Sequence, residues 1–199
     1  WWLKLYAIVG MAGAGKSEAA QVFEDSGYIK VRFGDITDDQ IKKRGLVVNE
    51  ENERAVREAL RKEYGMAAYA ILNRPKIDQA LQNNPVVIDG LYSWEEYKSL
   101  KSYYGEKLVV VAILASPATR HFRLSSRTIR PLSSSEALSR DSSEIENLNK
   151  GGPIAMADFN VINEGSLQEL SAQIRVLLDQ CRGLKWFALP LTSISSSLL

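Results

Sequence analysis

Apolar runs and helical periods alternate along this chain, the pattern of a parallel sheet covered by helices. Lys4–Val9 (KLYAIV) predicts a buried first strand, and Lys16–Ser26 a helix with Ala19, Ala20, Val22 and Phe23 able to face the sheet. Tyr28–Phe33 predicts the second strand. From Asp35 to about Leu81 the chain reads as helical and highly charged, interrupted by Gly45, Gly65 and Pro75. Pro85–Asp89 (PVVID) predicts a short central strand. Ser93 and Glu96 have the spacing of a capping box and should open a helix. Lys107–Leu114 (KLVVVAIL) is continuously apolar, as a strand buried on both faces must be. Pro117–Arg127 predicts a further helix, and the polar, serine-rich Thr128–Ser143 reads as a mobile segment. Phe159–Asn163 completes the strands. Gly165 and a second capping box, Ser166–Glu169, then begin a helix running to about Cys181. No internal repeat is visible. The expected fold is α/β and doubly wound, with a mainly parallel five-stranded sheet and helices on both faces.

Length and composition narrow the picture further. At 199 residues the chain predicts one domain over residues 1–182, followed by a tail over 183–199. A hydrophobic content of 45% and a charged content of 25% are those of an ordinary globular protein. The formal net charge is +1, which supplies no global attraction to nucleic acid or to a membrane, so any anion site must be built locally. Neither is expected as a partner. Cys181 is the sole cysteine and has no intramolecular disulfide partner, so a reducing, cytoplasmic setting is expected. The first ten residues do not read as a signal peptide, and no run approaches the roughly 20 apolar residues of a spanning helix. A monomer or homodimer is expected.

The candidate chemistry begins at Gly10-Met11-Ala12-Gly13-Ala14-Gly15-Lys16-Ser17, which matches G-x-x-x-x-G-K-[ST] between a predicted strand and a predicted helix. Glycines let the backbone wrap round a phosphate with successive N–H groups pointing inward, and the helix N-terminus that follows favours an anion. Lys16 would reach the outer phosphates and the Ser17 hydroxyl would ligate Mg²⁺, so ATP and Mg²⁺ are the expected cofactors. The competing reading is a flexible glycine turn beside a surface lysine. Fold and loop together predict a three-layer P-loop NTPase fold. The loop alone does not choose among switch GTPases, motor ATPases and small-molecule kinases.

Further segments make the chain resemble nucleoside monophosphate kinases and the related dephospho-coenzyme A kinases over roughly Leu5 to Leu178. The likeness is nearest to a branch of nucleotide kinases related to AMP and CMP kinases, whose loop reads GMPGSGKSE where this chain has GMAGAGKSE from Gly10 to Glu18. The resemblance implies a helical acceptor-binding insert at 35–83 and a short lid at 120–150. Phe33-Gly34-Asp35 matches a Gly-Asp of those enzymes, which implies that Asp35 orients the acceptor or a magnesium-bound water; an N-cap role is the alternative. Ile88-Asp89-Gly90-Leu91-Tyr92-Ser93 aligns with their D-G-F-P-R-T stretch. Asp89, at a strand's carboxyl end, would then help to hold Mg²⁺, the alternative being a plain Asp-Gly turn. The resemblance also puts Asn163 and Gly165 near the adenine.

Arg120, Arg123 and Arg127 share one helix face, with Arg130 nearby and Arg140 beyond, and only Glu136 offers an acid within the stretch. Such a face is unfavourable unless an anion neutralises it. In kinases of this shape a mobile lid carries arginines onto the transferring phosphate, which implies catalytic roles for Arg123 and Arg127 and donor contacts from Arg120 and Arg130. A solvated basic face is the alternative. The chain departs from the AMP kinases where acceptor-phosphate arginines belong: Asp38 and Ser93 stand there instead. Arg54, Arg57 and Arg61 are spaced to replace them or to pair with neighbouring glutamates. His121 and Cys181 have no metal-ligand spacing; His121 reads as partly exposed without a special role, a phosphate contact being the alternative, and Cys181 as a small apolar packing residue. The leading expectation is an ATP-dependent kinase of a small nucleotide-like acceptor. An ATP-binding regulatory protein is the second. A GTP switch is disfavoured, because Asn149-Lys150 is followed by Gly151-Gly152 rather than by the rest of N-K-x-D.

Overall fold

The computed structural model describes residues 4–128 and 131–183. Five strands, β1 (Leu5–Val9), β2 (Ile29–Arg32), β3 (Val86–Asp89), β4 (Leu108–Leu114) and β5 (Phe159–Ile162), form one parallel sheet in the order β2-β3-β1-β4-β5. The register pairs Leu5 with both Val86 and Leu108, and Ile8 with Asp89 and Val111. β1 is therefore central, and its carboxyl end meets that of β3.

Alternation along the strands divides the core in two. Leu5, Ala7 and Val9 join Val31, Ile88 and Val110 beneath α2 (Asp35–Lys43), α3 (Glu50–Tyr64), α4 (Ala68–Ala80) and α5 (Trp94–Tyr104). Tyr6 and Ile8 join Val87, Val111 and Val161 on the opposite face, under α1 (Lys16–Asp25) and α9 (Leu167–Gly183). Every residue of β1 is buried because helices cover both faces, so its sequence is a run rather than an alternation. Three layers result, as expected.

The helix boundaries follow local chemistry. Ser93 accepts the Glu96 N–H while Glu96 accepts the Ser93 N–H, a complete capping box at the start of α5. Ser166 and Glu169 make the same exchange before α9. Gly45 and Gly65 separate α2, α3 and α4 as predicted, but Pro75 lies inside α4 and does not end it. Its missing N–H leaves the Ile71 carbonyl without a helical donor, and Ile71 is solvent-exposed, where water can serve instead.

The larger correction concerns Thr128–Ser143. Most of it is helix α7 (Ser134–Glu146), opened by a third capping box between Ser133 and Glu136 and packed on α6 (Pro117–Ser125). Its buried stripe is Ala137, Asp141 and Glu144, a helical spacing in which two of three positions are acids. A short helix, α8 (Gly151–Ala155), follows before β5. The expectations for Arg130, for Trp1 and Trp2, and for the tail beyond residue 183 lie outside the described residues.

Candidate phosphate-binding site

The loop leaves β1 at Gly10 and enters α1 at Lys16. Gly13 and Gly15 have φ of 79° and 96°, where an L side chain is strained. Space excludes one as well. A Cβ on Gly13 would lie 2.6 Å from the Arg120 carbonyl oxygen, and one on Gly15 would lie 2.3 Å from Asn163 Nδ2. Neighbouring side chains brace the wrap: Asn163 Nδ2 donates to the Ala14 carbonyl at 2.8 Å, and Arg120 Nη1 donates to the Ala12 carbonyl at 3.1 Å. The first turn of α1 has no side-chain cap, so its N–H groups are left for an anion. Lys16 Nζ donates to the Met11 carbonyl at 3.0 Å. Desolvation, reinforced by the charges of Lys150 and Arg140, pushes its ammonium down to about 7. Glu18 is exposed in the first helical turn.

Across from the loop, Asp89 ends β3 and is buried. Burial raises its carboxyl above the usual range, while the nearby Ser17 hydroxyl and the charge of Lys16 act in the opposite sense. A hydroxyl and a carboxylate are thus side by side at the mouth of the loop. Oxygen donors of this kind suit Mg²⁺, which binds proteins through one or two such groups plus phosphate and water. Among the described residues no group of three or more His, Cys, Asp or Glu could hold a metal alone, so any ion here would need the phosphates.

Asp35 opens α2 at the end of β2 but does not cap it; Gly34 holds the cap position without a side-chain bond. The carboxylate instead lies 3.2 Å from Arg32 and 3.3 Å from Lys76. Arg32 also reaches Asp38 at 2.6 Å. Behind them, Tyr69 shares a 2.6 Å hydrogen bond with the buried Thr37 and meets the Tyr92 ring edge to face at 5.9 Å. Arg61 lies 5.8 Å over the Tyr69 ring. Arg57 lies 3.4 Å from Glu53.

The arginine row does not act as one face. Arg120 is buried and clasps Asp141 with two hydrogen bonds of 2.6 and 2.8 Å, besides its bonds to the Ala12 and Ala115 carbonyls. His121 shares the same carboxylate at 2.9 Å. Arg120 is therefore a brace under the loop rather than a free phosphate ligand. Arg123 donates to the Asn163 carbonyl at 2.9 Å and to that of Gly165 at 3.1 Å, tying α6 to the β5–α9 turn. Arg127 is exposed, and its guanidinium feels burial and the like charge of Arg140. The structure thus brings Arg123, Asn163 and Gly165 together, and Ser17 with Asp89. Asp35 and Arg127 join neither group.

Three site residues carried no motif. Glu144 Oε2 accepts the Ala12 N–H at 3.1 Å and the Lys150 ammonium at 2.8 Å, while Oε1 lies 3.5 Å from Arg140 Nε. Burial works against the charge on Glu144, but Lys150, Lys16 and Arg140 together outweigh it and hold the carboxyl below its usual range. Asp141 completes the set. The usable signal was the spacing from Ser133 to Glu136, identical to the two capping boxes that were recognised, with Ala137, Asp141 and Glu144 at i, i+4 and i+7 behind it.

A parallel sheet with helices on both faces, carrying a glycine loop between its central strand and the next helix, defines a P-loop kinase-like fold. Solved structures share that fold: a shikimate kinase from Bacteroides thetaiotaomicron (14% identical, TM-score 0.59, 90% of this chain and 98% of that one) and a gluconokinase from Sinorhizobium meliloti 1021 (17%, TM-score 0.54, 91% and 97%). The chain belongs to the family described as AAA domain, which matches residues 7–149, and to the UPF0200 proteins. The UPF0200 protein of Thermococcus gammatolerans is 36% identical over 89% of this chain and 95% of its own length. Among the described residues no helix is long and apolar enough to cross a membrane.

Proposed function

We propose that this chain is an ATP-dependent phosphotransferase acting on a small, nucleotide-like acceptor. The observation that carries the reading is the meeting of Ser17 and Asp89 at the mouth of a glycine loop whose Gly13 and Gly15 admit no side chain. Binding proteins that only grip phosphate need the loop; a hydroxyl and a carboxylate beside it add the means to hold Mg²⁺ on the outer phosphates. When bound there, Mg²⁺ neutralises charge on those phosphates. The chain's own contribution is positioning. Loop amides and Lys16 hold the donor, Arg123 fixes the turn at Asn163 and Gly165, and Arg127 supplies an exposed cation from the end of α6. Asp35, beside the end of β2, faces the acceptor with Arg32 and Lys76 as a charged rim.

The resemblance to nucleoside monophosphate kinases supports a nucleotide-like acceptor, and that to dephospho-coenzyme A kinases supports a second candidate. The pairing of Asp35 with both Arg32 and Lys76 favours one alternative, a protein that binds ATP and transfers nothing, because an acceptor would have to break those pairs. A transfer assay with ATP·Mg²⁺ against the nucleoside monophosphates and dephospho-coenzyme A separates the readings. One acceptor is expected to be phosphorylated, with Lys16→Ala inactive. Hydrolysis or binding without transfer to any acceptor, or full turnover by Lys16→Ala, would overturn the proposal.

A further inference from the structure

Lys150 belongs to no completed motif, yet it is 1% exposed and shares Glu144 with the loop. Two observations show how the chain forces it there. Asn149 has φ of 50°, the only positive φ of a non-glycine residue among those described, and this turn reverses the chain after α7. Lys150 N–H then donates to the Glu144 carbonyl at 3.1 Å, and Leu148 O accepts from Trp94 N–H at 3.1 Å, so the turn is stitched to the start of α5. The ammonium ends between two parts of the site. On one side it meets Glu144, whose same oxygen holds the Ala12 N–H of the loop. On the other it lies 5.8 Å over the ring of Tyr92, three residues beyond Asp89.

Its partner is shared and another ammonium opposes it. Glu144 is shared by Lys150, Arg140 and a loop amide, and Lys16 is close enough to Lys150 for the two ammonium groups to oppose each other. Glu96 is buried nearby, its Oε1 lacking a hydrogen-bond partner among the described residues. Two ammonium groups that oppose each other beside the loop gain from an anion that both can reach. An ammonium two hydrogen bonds from the loop, on the side of the strand that carries Asp89, is where the far end of a loop-bound polyphosphate would supply one.

We propose that Lys150 reads the terminal phosphate of the bound nucleotide, with Glu144 as the residue that positions it and that yields part of its hold when that phosphate arrives. This rests on the phosphotransferase reading above. It also makes α7 a sensor, since Glu144 and Asp141 both belong to that helix and both brace the loop, Asp141 through Arg120.

The test compares binding of ADP and of β,γ-imido ATP, each with Mg²⁺, to the full chain and its Lys150→Met variant. The unaltered protein is expected to prefer the triphosphate. Lys150→Met is expected to lose about tenfold in triphosphate affinity, the scale of one charge-assisted hydrogen bond, with ADP affinity within twofold. A loss shared equally by both ligands would mean that Lys150 only supports the fold, and an unchanged preference would mean that it does not touch the terminal phosphate; either overturns the inference. Should Lys150→Met fail to bind ADP, Lys150→Arg and Lys150→Gln decide, the preference being kept in the first and lost in the second. If the unaltered protein binds neither nucleotide, it is the phosphotransferase reading that has failed.

Discussion

The loop from Gly10 to Ser17 and the wall formed by α2 to α4, the proposed acceptor side, are built by different means. The loop is made of main chain: its shape is set by φ angles at Gly13 and Gly15, and its polar groups are amides. The wall is made of side-chain pairs, Arg32 with Asp35 and Asp38, Thr37 with Tyr69, and Arg61 over Tyr69. A main-chain site restricts which residues can occupy it, and so leaves a pattern in the sequence. A side-chain site can be assembled from many combinations and leaves none. The same difference predicts how each fails, abruptly in the loop and by degrees in the wall.

Gly15→Ala should give the largest effect. The backbone there is strained for any L side chain by about 1–3 kcal/mol, and the new methyl would displace Asn163 from the Ala14 carbonyl. Nucleotide affinity should fall at least about a hundredfold by calorimetry, with circular dichroism unchanged. An affinity kept within threefold would break the contrast. Next, Asp141→Leu removes the carboxylate that Arg120 clasps and leaves a buried guanidinium uncompensated, which typically costs about 3–5 kcal/mol. Chemical denaturation measures it, and a loss below 1 kcal/mol would show that the brace is dispensable.

On the wall, Arg32→Ala should raise the acceptor KM about three- to tenfold while ADP affinity stays constant, because Asp38 is exposed, Asp35 is only half-buried and the pairs are individually weak. An equal loss of ADP binding would place the residue on the donor side.

Two pH effects are smaller. Desolvation raises the Glu96 carboxyl from 4.5 to about 7. Between those values the folded chain holds a proton that the unfolded chain has released, so stability should fall as pH rises through the window. Glu96→Gln, which keeps an acceptor for the Tyr92 and Ser93 amides, should flatten that fall in thermal melts. Lys16, lowered to about 7, must be charged to hold phosphate. ADP binding at pH 8 should take up a fraction of a proton, seen as a dependence of calorimetric enthalpy on buffer ionisation heat, and no uptake would contradict the desolvated lysine.

How much was legible follows the same division. The strands showed as apolar runs because both faces are covered, and the glycine loop showed because its backbone demands it. Helix α7 was hidden because Asp141 and Glu144 fill core positions, where a search for apolar periodicity sees surface. The arginine row read as a free basic face because the carboxylate that neutralises Arg120 is Asp141, 21 residues further along the chain and just past Arg140. Lys150 gave no sign of the place it takes, because that place comes from a turn at Asn149 and from Glu144, neither of which belongs to a completed pattern. Pro75 misled in the opposite direction: a strong breaker was overruled by the packing of α4 on α2, α3 and α5.

β2 is an outer ribbon of the sheet, and its unpaired flank carries amides and carbonyls that a foreign strand could extend. Lys30 and Arg32 sit on it, engaged with Glu24 and with Asp35 and Asp38. A ribbon docking there would crowd these charges and strip their water without offering new partners. The molecule's open margin on that side is thereby guarded against fibrous stacking by ion pairs, two of which also tie β2 to α2.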